Sequence, residues 1–591
     1  MFLLGTSMRR FVRFGSSQPD TAMSWFKVLL LMLTIGAFIP LRAQSAPPNE
    51  QPRTVHGVVV NAVTGAPIPR ALVRSVDDRL AGLTNGSGEF EFTLPQPDPN
   101  APAAMGGSIY TNVGPGRPFR FGGDQFWITA SKPGFFEDAN GRQAIRNNEG
   151  EIAISLVPEA LIKGRVTLST GDAASGVTVQ IYLRSVMDGL WQWLPRGEVR
   201  TNSAGEFRFA ELQAGSYKLV THEYMDNDPL IPLTGGQVYG FPPVYYPGAP
   251  DLASAAIIEL AAGQTVEANV ALVRQPYYRV RIPVAGASVS GLSVTVEGQH
   301  GPGYSLGYSR NGDGITGLLP NGNYVVEATN YGMNALTSGK VNLTVSGRAS
   351  EGPTMTLVPG SSISFDVKTE FSSNQPAPEF IQGDGKHTYH LHGPRAYLNP
   401  NLEPADRVER RGGASIRPPQ GPNDDSLVME NVLPGRYWVQ LNPTQGYVAS
   451  ATMGTTDVMR EPIVIDAGSN LQIEVKLRDD FAEVDGSLAN PGTPSAASES
   501  EGPSAGTWVY FVPLPDRTGQ VQQVYVSSDG KFSLQGIAPG TYRVLAFASQ
   551  QPNLPYRDPV GMKAYETKGQ VITLSPGQKA TIQVQALAGA E

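Results

Sequence analysis

The chain has 591 residues, 66 of them glycine and 49 proline, with 40% hydrophobic and 17% charged residues; it is too long for one core and too apolar for a disordered tail. Its formal net charge of −8 opposes binding to nucleic acid or to an anionic lipid surface. The absence of cysteine excludes disulfides, thiolate metal sites, iron-sulfur clusters, cysteine nucleophiles and cysteine-linked lipid.

In chain order, the first element is a leader. Lys27 precedes an apolar run from Val28 to Ile39, followed by Pro40-Leu41-Arg42-Ala43 and a polar stretch. This is the layout of a signal peptide over residues 1–43, with Ala43 as the expected cleavage point and Ser45 or Ala46 as alternatives. Met23 is a candidate start. Beyond the leader the chain holds 40 basic and 52 acidic residues, a net charge of about −12. No later stretch is long and apolar enough to span a bilayer as a helix, so no membrane span is expected in the mature chain.

The rest is a recurring cassette. It opens on a short strand, as in His56-Gly57-Val58-Val59-Val60 and Lys163-Gly164-Arg165-Val166-Thr167. A turn and an alternating strand follow, as in Asn85-Gly86-Ser87-Gly88-Glu89-Phe90-Glu91-Phe92, Asn202-Ser203-Ala204-Gly205-Glu206-Phe207-Arg208-Phe209 and Asp529-Gly530-Lys531-Phe532-Ser533-Leu534. Period-two alternation places the apolar residues on one face. A Gly-x-Tyr strand comes next. Phe207 leads to Tyr217, Leu427 to Tyr437 and Phe532 to Tyr542, always at a spacing of ten, and Asn321-Gly322-Asn323-Tyr324 has the same form. The tyrosine shares a face with the apolar residue two places on, which makes it a core anchor with its hydroxyl near the rim. Each cassette closes on a strand, a glycine turn and a strand, as at Ile257 to Leu272, Val464 to Leu477 and Val571 to Val584. Such spacing predicts an all-β tandem array of about five β-sandwich domains.

These phrases resemble the carboxypeptidase regulatory-like domain, a transthyretin-like (prealbumin-like) β-sandwich that shares its architecture with starch-binding-like and collagen-adhesin B-type repeats. The resemblance is strongest over 160–275 and 480–587 and good over 53–158. It is degenerate over 276–360, where Asp313-Gly314-Ile315-Thr316-Gly317 replaces the Gly-x-Phe strand, and over 361–479, where a long insertion interrupts the opening. The expected domains are 53–158, 160–275, 276–360, 361–479 and 480–591. Tyr245-Tyr246-Pro247-Gly248-Ala249 and Tyr565-Glu566-Thr567-Lys568-Gly569 also look like phrases in large exported bacterial proteins built from this module. The family name implies no peptidase, because the module is an accessory to the catalytic domain.

Candidate chemistry is sparse. His387, His390 and His392 cluster in the insertion, but two or three histidines without a located carboxylate are an incomplete ligand set, and no metal is expected. Asn311-Gly312-Asp313-Gly314 and Asp226-Asn227-Asp228 lack the terminal glutamate of a calcium loop and read as turns. B-type relatives sometimes carry a Lys-Asn isopeptide bond, for which Lys163 and Asn269 are the conceivable pair; the sequence nominates no buried acid to manage the proton, and two ordinary surface residues are the alternative. No phosphate loop, nucleophile elbow or metalloprotease motif is present, so no catalytic residue and no cofactor is expected. The candidate ligand-binding residues are Trp191, Trp193, Tyr239, Tyr245 and Tyr246, all in one Pro/Gly-rich cassette, since exposed aromatic faces stack on sugars or partner proteins. The expectation is a non-catalytic exported protein, periplasmic, outer-envelope associated or extracellular, with a structural or binding role and a polysaccharide or envelope protein as partner. Alternatives are a carbohydrate-binding array and an accessory part of an outer-membrane uptake system, because the same module caps many TonB-dependent transporters.

Overall fold

The computed structural model describes residues 54–587 except 76–79, 94–125, 138–141, 146–151, 227–235, 286–291, 297–303, 309–313, 332–335, 373–379, 384–387, 406–413, 422–423, 490–506, 516–520, 528 and 552. The expected leader, His387, Asn311 to Asp313 and Asn227-Asp228 lie outside the described residues. Arg53–Glu591 forms one contiguous unit. Among the described residues almost all regular structure is strand, and five main hydrophobic cores follow one another along the chain, anchored at Val59, Ile162, Ile282, Ile363 and Val484.

Each core lies between two sheets. In the second sandwich the opening strand Ala160–Leu168 pairs antiparallel with Glu206–Leu212 and parallel with Thr265–Glu267 and Val270–Leu272. The facing sheet runs in the order Leu190–Arg200, Thr178–Met187, Gly215–Thr221, Ile258–Leu260. The first, fourth and fifth sandwiches repeat this plan, with Thr54–Asn61, Ser361–Glu370 and Ala482–Leu488 as opening strands, each between an antiparallel partner and a parallel closing strand. The chain crosses between sheets within the closing element. Gly263, Gly468 and Gly577 sit at that crossing with φ of 74°, 69° and 68°, a left-handed conformation that glycine adopts without Cβ strain.

The phenylalanine of the Gly-x-Phe phrase is explained by a cross-strand contact with a glycine of the opening strand. Gly57, Gly164 and Gly486 pair directly with Phe90, Phe207 and Phe532. A Cβ built on these glycines would lie 2.4, 2.8 and 2.0 Å from the facing ring, so each phenyl lies against bare backbone. The fourth sandwich reverses the sizes: Phe365 stands on the opening strand opposite Leu427. In the third sandwich Ile282 faces Ile315.

The tyrosines occupy the second fixed point. Tyr217 and Tyr542 are 0% and 1% exposed, with Tyr437 at 6% and Tyr324 at 9%. The hydroxyls of Tyr217, Tyr324 and Tyr542 donate to the carbonyls of Gln213, Pro320 and Ala538, each four residues upstream. The body of the side chain fills the core while its one polar atom ties down the turn before the strand. A third recurrent detail lies before the Gly-x-Phe turn. Buried Thr84 donates to Ile68 O and accepts from Ala71 N, and Thr201 does the same with Ala174 O and Val177 N. Val526 takes the equivalent place in the fifth sandwich and is apolar and buried.

Two features depart from independent cassettes. Tyr224–Met225 and Val238–Phe241, from the loop region of the second cassette, join the opening strand Gln275–Ile282 of the third in one sheet. In the fourth, the expected long insertion contributes a helix, Gly393–Tyr397, and the strand Leu398–Pro404, which pairs with Gly435–Pro443. It is thus partly a sheet element, not only a loop.

The glycine-ring pair has a testable asymmetry. At Gly486 the close atoms belong to the Phe532 ring, whereas at Gly164 the closest is the backbone oxygen of Ala268, 2.0 Å from the built Cβ. Gly486→Ala should cost about 2 kcal/mol through overpacking, and adding Phe532→Leu should recover part of it. Gly164→Ala should cost as much and gain nothing from Phe207→Leu. Urea unfolding of these four variants and of the Phe532→Leu and Phe207→Leu single variants measures both cycles. Tyr542→Ala should cost about 3 kcal/mol or more, and Tyr542→Phe about 1 kcal/mol from the lost hydroxyl bond, read in the same way.

Candidate binding surface and domain junction

The expected site residues begin on a hairpin. Thr178–Met187 and Leu190–Arg200 pair antiparallel around a two-residue turn, Asp188-Gly189, with φ of 45° and 74°. Positive φ at both positions is the geometry that suits the twist of a tight hairpin, and Asp-Gly is a favoured sequence for it. Trp193 pairs with Arg184 and Trp191 with Val186, so both tryptophans lie on the face of the sheet turned away from the main core, as two-residue spacing requires.

That outer face is partly covered. Tyr182, Val220, Tyr245, Leu252 and Ala255 form a second small apolar cluster there, with Trp193 packed against it. Lys218 is 5% exposed; its ammonium lies 4.9 Å from the Trp193 ring centroid and donates to Leu252 O at 2.5 Å. Burial pulls the Lys218 ammonium below the ordinary lysine range, with Asp251 acting in the opposite sense.

The other aromatics lie elsewhere. Tyr246 packs against the main core, and Tyr239 is half-buried under Arg274, whose guanidinium stands 3.9 Å from the ring centroid and bonds Asp226. Trp191 is half-buried with Arg184 over its ring at 4.7 Å. The structure therefore packs Trp193 with Tyr245, leaves Trp191 on the same face two residues along the strand, and gives Tyr239 and Tyr246 other partners.

The turn that carries the tryptophans is also the meeting point of three sandwiches. From the fifth, Tyr556 Oη donates to Asp188 Oδ1 at 2.5 Å, Arg557 pairs with Asp188 Oδ2 and donates to Asp188 O at 3.1 Å, and Arg557 N donates to Gly189 O at 3.0 Å. From the fourth, Gln440 Nε2 donates to Asp188 Oδ2 at 3.2 Å, and Glu403 accepts from Gln440 and from Gln192. The Arg557 guanidinium lies 4.1 Å from the Trp438 ring centroid, and its side chain is 2% exposed. Burial, followed by the charge of Asp188, pushes the Tyr556 phenol far above its ordinary value. A Cβ on Gly189 would come within 2.7 Å of the Tyr556 ring, and one on Gly561 within 3.3 Å of Trp191 Nε1. Sequence reading missed Asp188, although Asp-Gly between alternating apolar residues announces the turn; its partners, up to 369 residues away, leave no local trace.

The remaining candidates have ordinary places. Lys163 is exposed, and the Asn269 amide is taken up by other groups, accepting from Arg165 N at 2.8 Å and donating to Glu267 at 2.9 Å. His390 is on the strand Thr388–Leu391, and His392 is exposed before the short helix. Among the described residues no group of three histidine or acidic side chains is placed to hold a metal, and no helix is long and apolar enough to cross a membrane.

No protein-family model matches the chain, and no curated protein does. Among solved structures it is similar to the Bacillus anthracis TIE protein at 9% identity, covering 72% of this chain and 67% of that one, with a TM-score of 0.14. It is similar to GBS52, the minor pilin of Streptococcus agalactiae, at 14% identity, 38% and 97% coverage and a TM-score of 0.17. A third is BcpA, the major pilin subunit of Bacillus cereus, at 8% identity, 72% and 99% coverage and 0.13. At such scores the likeness carries no argument about what this chain does.

Asp188→Ala removes the acceptor of a buried guanidinium and a buried phenol. It should cost about 3–5 kcal/mol at the junction, and calorimetry should show one coupled transition of the second and fifth sandwiches resolving into two.

Proposed function

We propose that this chain is a non-catalytic exported protein with a structural or binding role in the cell envelope, built from modules of the carboxypeptidase regulatory-like type. The observation that carries the structural role is the Asp188 junction. Charged and aromatic side chains that would otherwise be free to act on a substrate are engaged between sandwiches, where a buried ion pair and a cation-aromatic contact fix geometry. Support for the module type comes from the repeated opening strand, flanked by an antiparallel Gly-x-Phe strand and a parallel closing strand. The basic residue, apolar run and small residues before Ala43 support export.

The second sandwich is the proposed binding unit, for a polysaccharide or an envelope protein. Trp191 and Tyr239 lie outside both apolar clusters of that sandwich and keep part of their area exposed, whereas Trp193, Tyr245 and Tyr246 contribute mainly by packing.

The test separates the two tryptophans. Trp193→Ala should lower stability by about 2 kcal/mol, the scale of removing a large, partly buried apolar side chain, read as a lower thermal midpoint. Trp191→Ala, which also removes the neighbour of Gly561 in the fifth sandwich, should leave the second sandwich folded and weaken retention on envelope polysaccharide or capture of an envelope partner. Unchanged retention and capture for both variants would remove the second sandwich as the binding unit.

A further inference from the structure

The sheet shared by the second and third sandwiches contains a carboxyl group in an unusual setting. Glu223 immediately precedes the strand Tyr224–Met225, which belongs to the second cassette. Its Oε2 accepts from Ser305 N at 2.9 Å, in the third cassette just before the strand Leu306–Tyr308. Its Oε1 is buried and has no hydrogen-bond partner, and the same is true of the Tyr277 hydroxyl on the third opening strand. The Tyr277 hydroxyl faces the carboxyl without completing a bond to it.

The surroundings are aromatic. The rings of Tyr277 and Tyr304 are 6.4 Å apart and those of Tyr304 and Tyr324 5.5 Å apart, both edge to face. The groups that face Glu223 are therefore Tyr277 from the opening strand, Tyr304 and Ser305 from the preceding loop, and Tyr324 from the strand Gly322–Tyr331. Its neighbour His222 turns instead toward Gln180, 3.2 Å away, and feels Glu198. No lysine or arginine among the described residues contributes to the state of the Glu223 carboxyl. An ionised carboxylate buried without a cation and with one oxygen unpartnered is costly, and protonation removes the buried charge.

We propose that Glu223 holds a proton while the second and third sandwiches are seated together, so that their junction tightens in mildly acidic surroundings and loosens toward neutral pH. Burial pushes the carboxyl above the ordinary glutamate range, against the pull of the Ser305 and Tyr277 contacts. Between the ordinary value and the raised one, the closed junction keeps a proton that the opened chain has lost. Its stability is complete below the ordinary value and falls as pH rises to the raised value. The phenols do not share this titration, since burial drives Tyr277 and Tyr324 above their ordinary range. His222, held below its ordinary value by burial, acts with the opposite sign, losing stability as pH falls.

Hydrogen exchange of the full chain between pH 5 and 8, corrected for intrinsic rates, tests the proposal at the amides of Gln275–Ile282 and Leu306–Tyr308. Within the raised interval the opening constant should rise by up to about tenfold per pH unit, the slope of one linked proton. Glu223→Gln, a neutral isostere, should remove that rise and be at least as protected as the native chain at pH 8. A flat native profile, or a variant that keeps the native slope, overturns the proposal. Should the variant not fold, 13C-labelled glutamate in the native chain decides. One carboxyl still protonated above the ordinary glutamate range supports the proposal, and titration of every glutamate within that ordinary range refutes it.

Discussion

A phenyl ring laid against a glycine backbone is the contact on which each well-formed sandwich depends. The ring needs the space a side chain would fill, so the opening strand carries glycine at one register position and the neighbouring strand carries phenylalanine opposite. Because strand faces alternate, fixing that one pair fixes which residues of both strands enter the core. The tyrosine ten residues on then closes the facing sheet and satisfies its hydroxyl within its own turn. The fourth sandwich keeps the volume with Phe365 and Leu427 exchanged in size, which shows that the constraint is the filled space and not the identity of either residue.

Much of this was legible in the sequence because it is local. The period-two strands, the glycine turns and the ten-residue spacing of Phe207 and Tyr217 all arise within a few dozen residues, and the structure places them as that pattern requires. The aromatic set of the second cassette was only half legible. Spacing puts Trp191 and Trp193 on one face, yet the sequence does not say that the loop around Tyr245 and Leu252 folds over that face and takes up Trp193. The two-residue strand Tyr224–Met225 is too short to show any period, so its entry into the next sandwich's sheet had no signal.

The polar groups that matter most act between sandwiches. Asp188 gathers donors from Tyr556, Arg557 and Gln440, and Glu223 reaches Ser305. Both sit beside hairpin or strand ends, where backbone geometry is set locally and the side chain is free to be claimed by a neighbour. Composition fits this division of labour. With 17% charged residues and no cysteine, cohesion falls to packed apolar faces, and the few buried charges specify which faces meet.

The fifth sandwich holds the second sandwich's hairpin turn through Asp188. The absence of native cysteine allows a donor and an acceptor dye to be placed site-specifically at Arg196→Cys, an exposed position on the hairpin strand, and Val560→Cys, replacing an 82% exposed side chain. Energy transfer between them in the full chain is the most direct measurement. High transfer that collapses when Asp188→Ala is added is the predicted result; low transfer, or high transfer indifferent to that change, would contradict the account.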